Sequence, residues 1–344
     1  MTKLQQILGL TAPIMQAPMA GASDVDFVLA ANRAGILGSL GAGMMSPSAI
    51  NQAINGIKQQ TDKPFNVNLM ILDDTLSQHF SAPMPSWLEN FYQELGIVAT
   101  LGKTPAQRFD EQLAVLLDNP VPVASFTFGI LNKAQMAALQ AVGSLVIGTA
   151  NGVDEVLAWQ ALGADAVVVQ GTEAGGHQGG WLKSAKLSAL ELLVQAKAAA
   201  DVPLIVAGGI GTKAQVGQML QQGADLVAVG TLFLTTDEAP ISPVWQQRLL
   251  AATGDDTRLT RLFSGKMARG IINDYMQRFA HLDGEASADV LTYPTMNAMT
   301  KALRAYGNQT ANADLMSLWA GTAVGHCRRQ SMAQLVCQLM PSSF

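Results

Sequence analysis

A chain of 344 residues, 49% hydrophobic and only 14% charged, can bury a large core and is not disordered. Its formal net charge of −5, with no Lys/Arg cluster, leaves nucleic acid no electrostatic footprint. The two cysteines, Cys327 and Cys337, both fall in the last helix-like stretch; they match no metal spacing and suggest no disulfide framework, which points to a reducing cytoplasm.

Met1-Thr2-Lys3-Leu4-Gln5 shows no charged stretch leading into an apolar core, so no secretory signal is expected. No uninterrupted apolar run reaches membrane-spanning length. From Pro13 to Leu234 the chain repeats one unit, a short apolar run followed by a longer Ala/Gln/Leu-rich stretch. Strands are expected at 14–16, 36–40, 66–70, 123–127, 145–149, 166–170, 204–207 and 226–230. Helices are expected between them at 24–34, 47–60, 106–118, 132–142, 153–162, 187–200 and 213–222. Gly35, Gly163 and Gly223 stand where three of these helices would end in a left-handed cap.

Eight alternating β/α units with uniformly apolar strands favour a closed (β/α)8 TIM barrel, of class α/β, over an open sheet. An open sheet would also want G-x-G-x-x-G after its first strand, and Gln16-Ala17-Pro18-Met19-Ala20-Gly21 is not that. The barrel is assigned to residues 1–235 with part of the tail, and a C-terminal helical extension to 236–344. Helical patterns at 245–252, 295–306 and 322–339 could cover the substrate side as a lid or dress the barrel's flank. The long connection between strands three and four, with Pro83-Met84-Pro85 and an aromatic segment at 87–99, should carry an extra helix over a barrel face.

In such a barrel the site lies at the carboxyl ends of the strands. Residues 170–180 follow the sixth strand; five of these eleven are glycine, and among them stand one carboxylate, Glu173, and one imidazole, His177. Glycine lets backbone approach a ligand closely, although such loops also simply turn corners, and Glu173 is as suited to tying the loop to nearby amides. Gly208-Gly209-Ile210-Gly211 and Gly230-Thr231 follow strands seven and eight, the usual phosphate site of this fold, where backbone N–H groups can hold an anion. Asn68 and Gln170 can each donate and accept hydrogen bonds, which suits a flavin edge, and Met19 and Ala20 offer an apolar surface to a ring. With four His and none paired with carboxylates at ligand spacing, no metal is expected.

Several motifs occur in one order: Gln16-Ala17-Pro18-Met19-Ala20-Gly21, Val67-Asn68-Leu69, Ser125-Phe126-Thr127-Phe128-Gly129, Gln170-Gly171-x-Glu173-Ala174-Gly175-Gly176-His177, Ala207-Gly208-Gly209-Ile210 and Val229-Gly230-Thr231. The tail adds Ser264-Gly265-Lys266-x-Ala268-Arg269-Gly270 and Tyr293-Pro294 leading to Asn297 and Lys301. This series resembles the nitronate monooxygenases, of the bacterial class I-like branch. The resemblance implies a barrel holding one FMN non-covalently, touched by Ala17, Pro18, Met19, Ala20, Asn68, Thr127, Gln170, Gly175, Gly176, Gly208, Gly209, Ala228, Val229, Gly230 and Thr231. It implies His177 as the catalytic residue and Tyr293, Asn297 and Lys301 near the substrate.

The implied reaction oxidises an anionic alkyl nitronate of the propionate-3-nitronate type with O2, giving a carbonyl compound and nitrite. An imidazole could serve there as a base or as a positioning donor. Many relatives carry Arg where this chain has Gln178, which puts substrate preference in question. The alternative is an FMN-dependent NAD(P)H reductase of the enoyl-ACP or quinone type, which carries similar loops. Neither reading involves nucleic acid or membrane, and monomer and homodimer both stay open.

Overall fold

The computed structural model describes residues 1–72, 82–98, 108–183, 185–284 and 287–341. Residues 106–107 of one expected helix and residue 99 of the aromatic segment lie outside the described residues. Parallel strands β1 (Ile14–Gln16), β2 (Gly38–Gly41), β3 (Phe65–Met70), β4 (Val123–Thr127), β5 (Leu145–Ala150) and β6 (Ala166–Gln170) are followed by a two-residue strand, β7 (Gly176–His177). Two more parallel strands, β8 (Leu204–Ala207) and β9 (Leu226–Val229), complete an eight-stranded sheet of order β1-β9-β8-β6-β5-β4-β3-β2. A parallel bridge between Met15 and Leu37 joins the two ends and closes the barrel. The (β/α)8 expectation is the observed architecture, with strand boundaries shifted by at most two residues.

Alternation along the strands splits the apolar side chains into two sets. Ile14, Val67, Val206 and Val227 pack in the large cluster with the surrounding helices. Their neighbours Met15, Ile205, Leu226 and Ala228 form a smaller cluster with Leu4, Leu8 and Leu10 of the N-terminal segment. The helix Lys3–Ile7, capped by Thr2 and Gln5, thus supplies apolar filling for the barrel interior. Helix entries follow local chemistry: Asp24, Ser188 and Thr212 each accept a hydrogen bond from a first-turn amide. Gly35, Gly163 and Gly223 have φ of +78°, +92° and +95°, the left-handed conformation expected after those helices.

The tail departs from a purely helical reading. Helices Pro243–Ala251, Asp274–Arg278, Thr295–Met299, Lys301–Gln309 and Met332–Leu339 are present, but so are strands β10 (Thr257–Thr260) and β11 (Ala268–Ile271). β11 pairs antiparallel with both β10 and β7, setting Ala268 opposite His177. Cys327 precedes the last helix; only Cys337 lies within it. The tail divides between two apolar clusters. Met332, Leu335, Val336 and Leu339 belong to the barrel's core, whereas Tyr275, Phe279, Met296 and Leu303 form a separate cluster with Leu88, Phe91 and Tyr92 of the β3–β4 connection. Among the described residues no helix is long and apolar enough to cross a membrane.

Candidate active site

A cavity of about 320 Å³ opens at the carboxyl ends of the strands, within the size range of ligand sites. Every cofactor position named from the sequence lines it, as do His177, Tyr293 and Asn297. Lys301 does not: it is exposed and outside the cavity, and Arg304, three residues along the same helix, lines the wall instead.

The glycine loops meet the requirement set for them. Gly208 and Gly209 have φ of +122° and +67°. A Cβ on Gly209 would lie 2.9 Å from both Glu173 Cβ and Thr322 Oγ1, and one on Gly175 would lie 2.5 Å from the Gly321 nitrogen. These glycines let the loops after β6 and β8 pack against the turn at 320–322. The Gly321 N–H donates to Thr231 Oγ1 at 2.9 Å, linking the loop after β9 to the same turn. Glu173 accepts from the Ala189 N–H at 3.0 Å, and so ties its loop to the following helix.

Gln170 and Thr127 line the cavity but are held by the loop that carries the imidazole. Gln170 Nε2 donates to the His177 carbonyl at 3.2 Å, and its Oε1 accepts from the Gly179 N–H at 2.7 Å. Thr127 Oγ1 donates to the Gly179 carbonyl at 3.0 Å. The loop thus takes the Gln170 carbonyl oxygen and one of its two Nε2 hydrogens. Asn68 differs: its Nδ2 donates to Ser125 Oγ at 2.9 Å, while its carbonyl oxygen has no partner among the described residues. Trp245 Nε1, on the cavity wall, is likewise a buried donor without a partner among the described residues. Gln178 Oε1 accepts from Asn151 Nδ2 at 3.2 Å, so it stiffens the loop.

His177 is the centre of the arrangement. Ser264 Oγ lies 2.8 Å from His177 Nε2 and 3.0 Å from the Lys266 carbonyl. With its hydrogen on that carbonyl, Ser264 accepts from Nε2–H, and in that tautomer Nδ1 keeps its lone pair. The rings of Phe128, Tyr293 and Trp319 surround the imidazole with centroids 5.6, 5.6 and 5.5 Å away. Burial, then the positive charges of Lys266 and Arg304, push its pKa down from 6.5 to about 3. The residual accessible surface of the ring is cavity wall. Lys266 Nζ donates to the Gly180 carbonyl at 3.0 Å and sits 4.7 Å over the Phe128 ring.

Ser264, Arg304, Trp245 and Trp319 have no role in the sequence reading. Ser264 opens the motif at 264–270, so its position was visible although its contact with His177 was not. Trp245 and Trp319 stand in no motif, and only the folded tail brings them to the wall.

Glycine-loop amides and one neutral imidazole, gathered in a cavity at the carboxyl face of a closed barrel, define a barrel enzyme whose reaction occurs at that face. Comparison with known proteins narrows the class. The family model for nitronate monooxygenase matches residues 1–342. A probable nitronate monooxygenase of Bacillus subtilis strain 168 is 35% identical, covering 98% of each chain. The crystal structure of nitroalkane oxidase from Streptomyces ansochromogenes superposes with a TM-score of 0.84 at 34% identity, over 98% of this chain and 96% of that one. FabK from Thermotoga maritima, at 23% identity and a TM-score of 0.78 over 98% and 94%, shares the fold. The chain belongs to the nitronate monooxygenase family and is an oxidoreductase.

Proposed function

We propose that this enzyme binds FMN and oxidises small anionic alkyl nitronates with O2, releasing a carbonyl compound and nitrite. One observation carries the reading: both phosphate-type glycine loops and His177 line a single cavity. The donor set suits the cofactor. Loop amides at Gly208, Gly209, Gly230 and Thr231, with the orphaned Trp245 N–H, would hold its phosphate. Asn68, with its unpartnered carbonyl oxygen, would meet the ring's polar edge, and Ala17, Pro18, Met19 and Ala20 its apolar surface. Bound FMN would supply electron transfer between nitronate and oxygen, which no side chain here can perform. The segments after residue 235 that reach the cavity, Tyr293, Asn297 and Arg304, would cover the substrate side.

His177 then has a narrow choice of roles. With its pKa held near 3 it is a poor base toward a nitroalkane carbon, so the substrate is one that arrives already ionised. A nitronate in the cavity offsets the charges of Lys266 and Arg304, raises the affinity of Nδ1 for a proton, and lets that proton hydrogen-bond a nitronate oxygen. Ser264, holding Nε2–H, aims Nδ1.

The test is an absorbance spectrum of the purified protein, then oxygen uptake with propionate-3-nitronate by wild type and His177→Asn. A yellow protein whose kcat/KM falls on the order of 10²–10⁴-fold in the variant, with flavin content unchanged, is expected. A colourless protein that refuses FMN, or rapid anaerobic bleaching by NADH or NADPH with no oxygen uptake on nitronate, would overturn the reading.

A further inference from the structure

Among the described residues that line the cavity, Arg304 is the one fixed cation, and none is Asp, Glu or Lys. Its guanidinium is anchored along one edge: Nη2 donates to the Asn297 carbonyl at 2.6 Å and to Asn297 Oδ1 at 2.9 Å, and Nε donates to the Thr300 carbonyl at 3.3 Å. Nη1 has no hydrogen-bond partner among the described residues. No carboxylate among them lies in ion-pair range of this guanidinium, whereas Arg248, Arg278 and Arg329 each have one. The ionisable groups that act on it are tyrosines, Tyr92, Tyr275 and Tyr293, whose pKa values burial raises, so they stay uncharged at neutral pH and supply no counter-charge. A charge this deep in a protein ordinarily has an opposite charge beside it. Here the missing anion belongs to whatever occupies the cavity.

We propose that Arg304 holds a carboxylate on the substrate's tail, and thereby makes this enzyme selective for short nitronates that carry a carboxylate over plain alkyl nitronates. The inference rests on the nitronate reading above, and it assigns to Arg304 the anion-attracting role expected of Lys301. The carboxylate, rather than the nitronate, is the group Arg304 meets, because the reacting end belongs beside His177, where three aromatic rings line the wall. Binding energy from a non-reacting part of the substrate then orients that end.

Propionate-3-nitronate and propyl-1-nitronate differ only in a carboxylate against a methyl at the end of the tail. For the holoenzyme R304Q, kcat/KM for propionate-3-nitronate should fall about 100-fold, mostly through KM, the size of a lost hydrogen-bonded charge pair. Propyl-1-nitronate should lose only about threefold, and Arg304→Lys should recover part of the first loss. Equal losses on both substrates would make Arg304 structural or place it on the nitronate, and no loss on either would remove it from binding; both results overturn the proposal. Calorimetry on wild type needs neither turnover nor a folded variant: succinate should bind at least about tenfold more tightly than butyrate, which has a methyl in place of one carboxylate. Equal affinities would sink the anion site. If wild type oxidises neither nitronate while succinate still binds better, the reaction assignment fails and the site at Arg304 stands.

Discussion

Two hydrophobic cores meet at the cavity, and they are assembled over different distances along the chain. In the barrel each strand packs against the helices next to it in sequence, and each helix end is set by its own cap and glycine. The core that Tyr275, Phe279, Met296 and Leu303 form with Leu88, Phe91 and Tyr92, called the cap core, is non-local: Tyr92 OH donates to the Met299 carbonyl at 2.6 Å across 207 positions, and Trp87 Nε1 donates to the Asp289 carbonyl across 202. Asn68, Thr127 and Gln170 at the strand ends are fixed by the barrel itself, but Tyr293, Asn297 and Arg304 hold their places only as well as the cap core holds its own. Two regions line one cavity, and only one of them is positioned by local rules.

The largest test of that contrast removes one phenyl ring from each core. Phe91 sits 5.2 Å from the Phe279 ring and 5.8 Å from Tyr275, and Phe27 is fully buried under the barrel. Phe91→Ala and Phe27→Ala should each destabilise by about 3–5 kcal/mol, read as thermal unfolding midpoints. KM for nitronate should rise in Phe91→Ala, because Arg304 and Tyr293 ride on the cap, and stay near wild type in Phe27→Ala. If both substitutions move KM alike, the cap does not position the substrate side independently.

The same contrast explains what the sequence disclosed. Eight apolar runs, and glycines such as Gly35 and Gly163 at positive φ, follow from local steric rules, so the barrel and the glycine loops could be read residue by residue. β7 could not: two residues, Gly176 and His177, carry no periodicity, and their strand exists only because Ala268 and Arg269 lie opposite. Lys301 was named because a motif marks it, but which residues of the helix meet the cavity is set by the cap core, with Leu303 buried in it. Gln170 matched a flavin contact by chemistry, and the structure commits its amide to the loop through Gly179.

His177 stands at the seam, with Phe128 on the barrel side and Tyr293 and Trp319 on the cap side. Folding lowers its pKa from 6.5 to about 3, so as pH falls the unfolded chain takes this proton first. The ligand-free protein therefore has the full benefit above pH 6.5 and loses it progressively between about 6.5 and 3. At pH 5 this one group should destabilise wild type by about 2 kcal/mol relative to neutral pH. Denaturant unfolding at the two pH values should show that extra loss in wild type and not in His177→Gln. An identical pH dependence in both proteins would mean that the imidazole is protonated at little cost and the seam is wetter than its packing shows.

The smallest effect separates aiming the imidazole from burying it. Ser264 leaves the packing of His177 alone but holds its Nε2–H, and Ser264→Ala strands that buried donor. The loss should be about 1–1.5 kcal/mol, or roughly tenfold in kcat/KM. Because an acceptor stabilises the imidazolium more than the neutral ring, its removal lowers the pKa further. The alkaline limb of the kcat profile, which reports the proton on His177 when nitronate is bound, should move to lower pH. Ser264→Thr, which keeps the hydroxyl, should restore both rate and profile. A merely structural serine would lower stability without moving the limb. An unmoved limb together with a tenfold loss would therefore leave Ser264 as support for β11 and return the aiming of His177 to its three aromatic neighbours.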